Sequence, residues 1–187
     1  MAYEYEGNPA LGQMIAAEAC KLGVRAQAHN IPSLKLEYGT LVPMRYMNSD
    51  KHFKVISISA FCTVHAFDDS RNLGQAIINA IEHYDGIVAV LASGSLSHRF
   101  IDDQRAEEGM NSYTREFDHQ MDERVVELWR EGKFSEFCQM LPEYAQYCLA
   151  RAICTIPSCC SGCWDGINTM ARWSLSPICL PVRVPGR

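Results

Sequence analysis

The residues IVAVLAS (87–93) form a nearly continuous apolar run, as a strand covered on both faces requires. Such a strand needs layers above and below it, and the sequence just upstream supplies one. Ser70 can cap a helix whose apolar face is Leu73, Ile77, Ile81 and Tyr84, and Asp85-Gly86 then turns the chain. Before that helix, FKVISISAFCTV (53–64) is rich in β-branched and aromatic residues and reads as a second strand. Strand, helix and strand in this order imply parallel pairing through a right-handed crossover. The expected class is α/β, with a central, largely parallel sheet flanked by helices.

The remaining elements are helical or loop-like. Asn8-Pro9 is an N-cap followed by proline at the first helical position, and Leu11, Met14, Ile15 and Leu22 share a face that Gly23 can end. HNIPSLKLEYGTLVPMRYM (29–47), with two prolines and a glycine, reads as loop. Asn111 or Ser112 can cap a long helix with Tyr113, Phe117, Met121, Val125, Leu128 and Trp129 as a core-facing stripe, stopped by Gly132. KFSEFCQMLPEYAQYC (133–148) is a further helix, interrupted near Pro142.

Composition divides the chain. Residues 1–148 carry 21 acidic and 13 basic side chains, whereas 149–187 carry one acid, Asp165, and four arginines. That tail holds five of the nine cysteines and four of the eight prolines, with no helix or strand period. The net charge of −5 argues against nucleic acid as a partner. There is no apolar run of the ~18 residues a membrane span needs. The N-terminus lacks a signal-peptide pattern, so a cytoplasmic location is expected.

Two histidines stand where chemistry is common in open α/β sheets, just beyond strand ends. His98 lies in LASGSLSHRF, after a Gly-Ser turn, and His65 lies in FCTVHAF. Parallel strands would deliver both to one sheet edge; the plainer alternative is a histidine satisfying a loop hydrogen bond. Tyr38, in EYGTLVP, can donate to an anionic intermediate or simply pack. IDDQRAEEG (101–109) reads as a solvated acidic loop. No phosphate loop, dinucleotide fingerprint, nucleophile elbow or zincin motif is present.

From about Tyr5 to Cys148 the chain resembles, without gaps, the class III extradiol ring-cleavage dioxygenases (LigB-like). HNIPSLKLEYGTLVPMRYM, SISAFCTVH and VLASGSLSHRFIDDQRAEEGMNSYTREFDHQMDERVVELWREGKFSEFCQMLPEYAQYC carry the likeness. It implies non-haem Fe(II), a catechol substrate (here 3,4-dihydroxyphenylacetate) and O2, with ring opening to a hydroxymuconate semialdehyde in aromatic catabolism. Further copies of the chain in a homo-oligomer fit the same expectation; a membrane does not. A triad of two histidines and one carboxylate leaves iron positions free for catechol and O2. His98 matches the histidine of the family's serine-histidine motif, the acid/base. Tyr38 stands where some relatives carry a histidine near the substrate. His65 is the second candidate for substrate contact.

The family's two iron-binding histidines precede the part matched here, and its acidic ligand lies beyond Tyr147. The expectation is therefore a sheet incomplete at both ends and a chain that binds no iron in the family manner and is inactive. The tail has its own reading. With permitted codons and a frame shifted by one base, residues from Cys154 spell MHDTVMLLGMLGWDKYDG, then KVEFITDLFASSGTG. Both resemble the family's C-terminal part. The expected division is a partial dioxygenase domain, 1–148, and an out-of-family, frameshifted, poorly ordered tail, 149–187. The cluster Cys154, Cys159, Cys160 and Cys163 is then a by-product. The competing reading is an α/β binding module whose Cys160 and Cys163 hold zinc, although that pattern lacks a second half-site.

Overall fold

The computed structural model describes residues 4–59, 66–94, 96–97, 99, 106–109, 112–149 and 178–182. Among these residues, six helices and two strands follow in the order α1 (Pro9–Lys21), α2 (Tyr38–Met47), α3 (Phe67–Glu82), β1 (Val88–Ala92), α4 (Ala106–Gly109), α5 (Glu116–Arg130), α6 (Phe134–Tyr147) and β2 (Ile178–Val182).

Helix α1 begins as its sequence dictates. The Asn8 side chain accepts a hydrogen bond from Leu11 N–H at 3.2 Å, and Pro9 occupies a position with no N–H to satisfy. Gly23 ends it with φ +82°, and Gly23 and Val24 donate to Cys20 and Ala19 carbonyls. This paired closure needs a left-handed residue, which glycine adopts without a Cβ clash. Gly132 closes α5 in the same manner, with φ +70° and bonds from Gly132 and Lys133 to Trp129 and Leu128.

Several expectations need correction, among them the acidic loop 101–109, whose residues 106–109 are helical. Residues 38–47 are helical rather than loop. Pro43 removes one possible bond, to Gly39, but its ring is buried, and the Glu37 carbonyl starts the helix by accepting from both Thr40 and Leu41. Helix α3 begins before Ser70, which is buried inside it; the Asp69 carboxylate instead accepts from Ala66 N–H at 3.1 Å. Helix α5 begins at Glu116 rather than after Ser112, because extended Arg115 precedes it and reaches Asp118 in its first turn. Tyr113 and Phe117 consequently stay exposed and outside the core stripe, with Tyr113 stacked on His119 at 4.6 Å. The α6 helix runs through Pro142 without a break, the proline lying on its exposed side.

Strand β1 pairs antiparallel with β2, in the register Val88 with Val182 through Ala92 with Ile178. Ala89 is exposed, so β1 is not covered on both faces. Pro181 sits opposite Ala89, as an edge strand tolerates. Thus a five-residue strand lies within 149–187, where no strand period was read. In 53–59 the only pairing among the described residues is a parallel bridge between Val55 and Gly7; positions 60–65 lie outside them.

Two apolar clusters organise the described chain. Helices α1 and α3 bury Leu11, Ile15, Ile77, Ile78, Ala80 and Ile81, with Val88 and Val90 of β1 against them. Helices α5 and α6 bury Val125, Leu128, Phe137, Leu141, Tyr144 and Cys148, with Leu96 against them. The chain leaving β1 therefore crosses from the first cluster to the second within a few residues.

Candidate active site

That crossing segment is held by α5. Asp118 and Asp122 are one helical turn apart and fall on the inward stripe with Val125 and Leu128. A carboxylate on a buried stripe needs donors. Asp122 receives Ser97 N–H at 3.0 Å on one oxygen and Ser97 O–H at 2.7 Å on the other. The buried Tyr144 hydroxyl of α6 donates to Asp122 Oδ1 at 2.5 Å.

Asp118, with 4% of its side chain exposed, takes two guanidinium groups. Arg99 Nε donates at 3.2 Å, and Arg115 donates through Nε at 3.0 Å and through its terminal nitrogen. Both arginines also donate to the Tyr147 carbonyl, at 3.2 and 2.6 Å, closing the C-terminus of α6. The Arg115 hydrogen bonds hold the Asp118 carboxyl below its ordinary range against the opposing effect of burial. Burial, reinforced by neighbouring Asp118, pushes the Cys148 thiol up to about 11. It is neutral at pH 7 and unsuited to act as a nucleophile.

Ser97, Arg99, Asp118, His119 and Asp122 line a cleft of about 280 Å³ together with the 112–114 segment. Ser97 and Arg99 flank His98 in sequence; His98 and His65 lie outside the described residues, as does the cluster Cys154, Cys159, Cys160 and Cys163. Tyr38 is the first residue of α2 and 79% exposed, and it is not among the described residues lining the cleft. Its neighbour Gly39 nonetheless abuts the end of β1, since a Cβ there would meet Ser93 Oγ at 3.8 Å.

Residues 1–160 match the family described as the catalytic LigB subunit of aromatic ring-opening dioxygenase. The chain belongs to the LigB family. The match runs beyond Cys148, where the likeness read from the sequence stops. Among LigB relatives, the chain is 72% identical over 179 residues to a 3,4-dihydroxyphenylacetate 2,3-dioxygenase of Escherichia coli, covering 95% of this chain and 64% of that protein. It is 26% identical over 158 residues to a 2-aminophenol 1,6-dioxygenase beta subunit of a Pseudomonas species, covering 80% and 52%. The chain thus spans less than two thirds of either relative's length.

The described part of this LigB chain does not fit the Fe(II) that the resemblance implies. No group of three or more His, Cys, Asp or Glu side chains among the described residues is arranged for a metal. The two cleft carboxylates are engaged by guanidinium, hydroxyl and amide donors. No helix among the described residues is long and apolar enough to cross a membrane.

The carboxylates and arginines of the cleft were not singled out from sequence. A usable signal existed: Asp118 and Asp122 occupy positions of the α5 stripe that the apolar period reserves for burial.

Proposed function

We propose that the chain derives from an extradiol dioxygenase that opens the ring of 3,4-dihydroxyphenylacetate with O2 beside the diol, both oxygen atoms entering the product, a hydroxymuconate semialdehyde, and that the 187-residue chain itself is inactive. The 72% identity over 95% of this chain to the Escherichia coli enzyme of that name carries the reading. His98 is the acid/base: it takes a proton from one catechol hydroxyl and later returns a proton to an oxygen of the opening ring. Tyr38 and His65 are assigned to the substrate's surroundings, on the resemblance alone. The central parallel sheet remains part of this proposal; a parallel bridge between Gly7 and Val55 among the described residues supports it. So does the tail's frameshift.

The test joins sequence and assay. The source gene is read from upstream of Met1 through codon 187. The 187-residue chain and the product of the continuous frame are then loaded with Fe(II) and assayed for oxygen uptake on 3,4-dihydroxyphenylacetate. The expected result is turnover by the continuous product, abolished by His98→Asn, and none by the 187-residue chain. Absence of turnover from both overturns the substrate assignment. Turnover by the 187-residue chain overturns its expected inactivity.

A further inference from the structure

We infer that Asp122 is a positioning residue that fixes, through Ser97, the segment carrying His98. The inference rests on the reading of His98 as acid/base, but its geometry comes from residues other than His98. Ser97 makes two bonds to Asp122, one from its backbone N–H at 3.0 Å and one from its hydroxyl at 2.7 Å, each to a different carboxylate oxygen. A backbone donor and a side-chain donor on one rigid carboxylate leave Ser97 little rotational freedom. Asp122 is in turn held by Tyr144, whose ring is completely buried between α5 and α6. On the other side of His98 in sequence, Arg99 is bound to Asp118 and to the Tyr147 carbonyl. Leu96 packs on the same helix pair.

Residues on both sides of position 98 are therefore tied to successive turns of one helix. The ties differ in what they hold. Asp118 also anchors Arg115 and the end of α6, so its loss disturbs the helix pair at large. Among the described residues Asp122 is bonded to Ser97 and Tyr144, so its loss is felt at the segment and at one hydroxyl of α6. Among the described residues, the charged and titratable groups around Ser97 and Arg99 include Asp118, Asp122, Arg115, His119, Tyr113, Tyr144 and Cys148, and comparisons between variants are made at one pH.

The experiment uses Asp122→Asn, Asp122→Glu and Ser97→Ala in the 187-residue chain and in the continuous product. Asn removes one of the two acceptor oxygens while keeping shape. Glu keeps the carboxylate. Ser97→Ala keeps the backbone bond and leaves Tyr144 paired. The first readout is the His98 ring resonance in histidine-labelled protein, assigned with His98→Asn, together with thermal unfolding. The second is the split between kcat and KM wherever there is turnover. Asp122→Asn is expected to shift the His98 resonance. It should also lower kcat by tenfold or more, approaching the roughly hundredfold that small misplacements cost, with KM within about twofold. Ser97→Ala does the same to a smaller degree, and Asp122→Glu recovers part of the loss. If Asp122→Asn fails to fold, Ser97→Ala carries the same readouts. An unshifted His98 resonance, or a fall in thermal stability with kcat unchanged, overturns the inference. Absence of turnover in the parent protein overturns the reading of function instead, and the resonance still decides the positioning.

Discussion

The two helix pairs bury similar numbers of side chains but use them differently. Between α1 and α3 the cluster is aliphatic, with Leu11, Ile15, Ile77, Ile78 and Ile81 at its centre. Two polar ties accompany it among the described residues, Asn8 Nδ2 to the Tyr84 hydroxyl oxygen at 2.8 Å and Asn72 Nδ2 to the Leu22 carbonyl at 3.3 Å. Between α5 and α6 the cluster has an aromatic floor, with Trp129 and Phe137 edge to face at 5.3 Å. Above that floor stands the network of Asp118, Asp122, Arg99, Arg115 and Tyr144. An aliphatic interface needs only volume and pattern, whereas a buried carboxylate needs every donor in place. The first pair can hold a fold; the second also holds directions in space, which a site requires.

The largest effect expected is at the floor of the second pair. Phe137 is fully buried, and Phe137→Ala is expected to cost about 3–5 kcal/mol. The matching change in the first pair, Ile81→Ala, is expected to cost about 2–4 kcal/mol. Denaturant unfolding measures both. The comparison sharpens with amide exchange at Ser97, whose N–H is bonded to Asp122. Phe137→Ala should raise that rate more than Ile81→Ala does. Equal rises would mean that the two pairs act as one cooperative unit.

Asp118→Asn tests the network. Removing the acceptor from two partly exposed guanidiniums is expected to cost about 2–3 kcal/mol at pH 7, less than for a wholly buried pair. The sign of the pH dependence follows from the lowered carboxyl of Asp118. Its contribution is present above the ordinary aspartate value near ~4 and is lost as pH falls through the lower folded value. The stability difference between parent and variant should narrow on acidification in that window. A constant difference would mean that the carboxylate's charge contributes nothing. Cysteine labelling adds a rate measurement. Exposed Cys20 should react with an alkylating agent at pH 8 well before Cys148, whose thiol is buried and pushed up to about 11. Comparable rates would show that the α5–α6 interface opens readily.

What the sequence disclosed follows the same division. The first pair was legible because aliphatic spacing, an Asn-Pro start and a terminal glycine are local signals. The faces Leu11/Ile15 and Ile77/Ile81 were each read correctly, and the structure packs them together. The second pair was legible only in its apolar half. Its carboxylates find donors 19 to 25 residues away, on Arg99 and Ser97, and no local period announces such partners. Helix α2 was missed because two prolines and a glycine were weighed as punctuation. Buried Pro43 shows tertiary packing overriding that signal. The β1–β2 pairing joins residues about ninety apart, beyond the reach of any window.

The smallest effect expected lies in the first pair and separates two roles of one side chain. Asn8 caps α1 through its oxygen and bonds Tyr84 through its nitrogen, joining the start of α1 to the end of α3. Asn8→Ala removes both and is expected to cost about 1–2 kcal/mol. Asn8→Ser keeps a capping oxygen and loses the reach to Tyr84, so about 0.5–1 kcal/mol is expected. Tyr84→Phe removes the tie from the other end at a similar cost. In the double variant Asn8→Ser with Tyr84→Phe the second change should add nearly nothing, because the bond is already gone. Additive losses would mean that Asn8 and Tyr84 act independently. The first pair would then rest on its aliphatic interface and the Asn72 bond to the Leu22 carbonyl, and its contrast with α5 and α6 would sharpen.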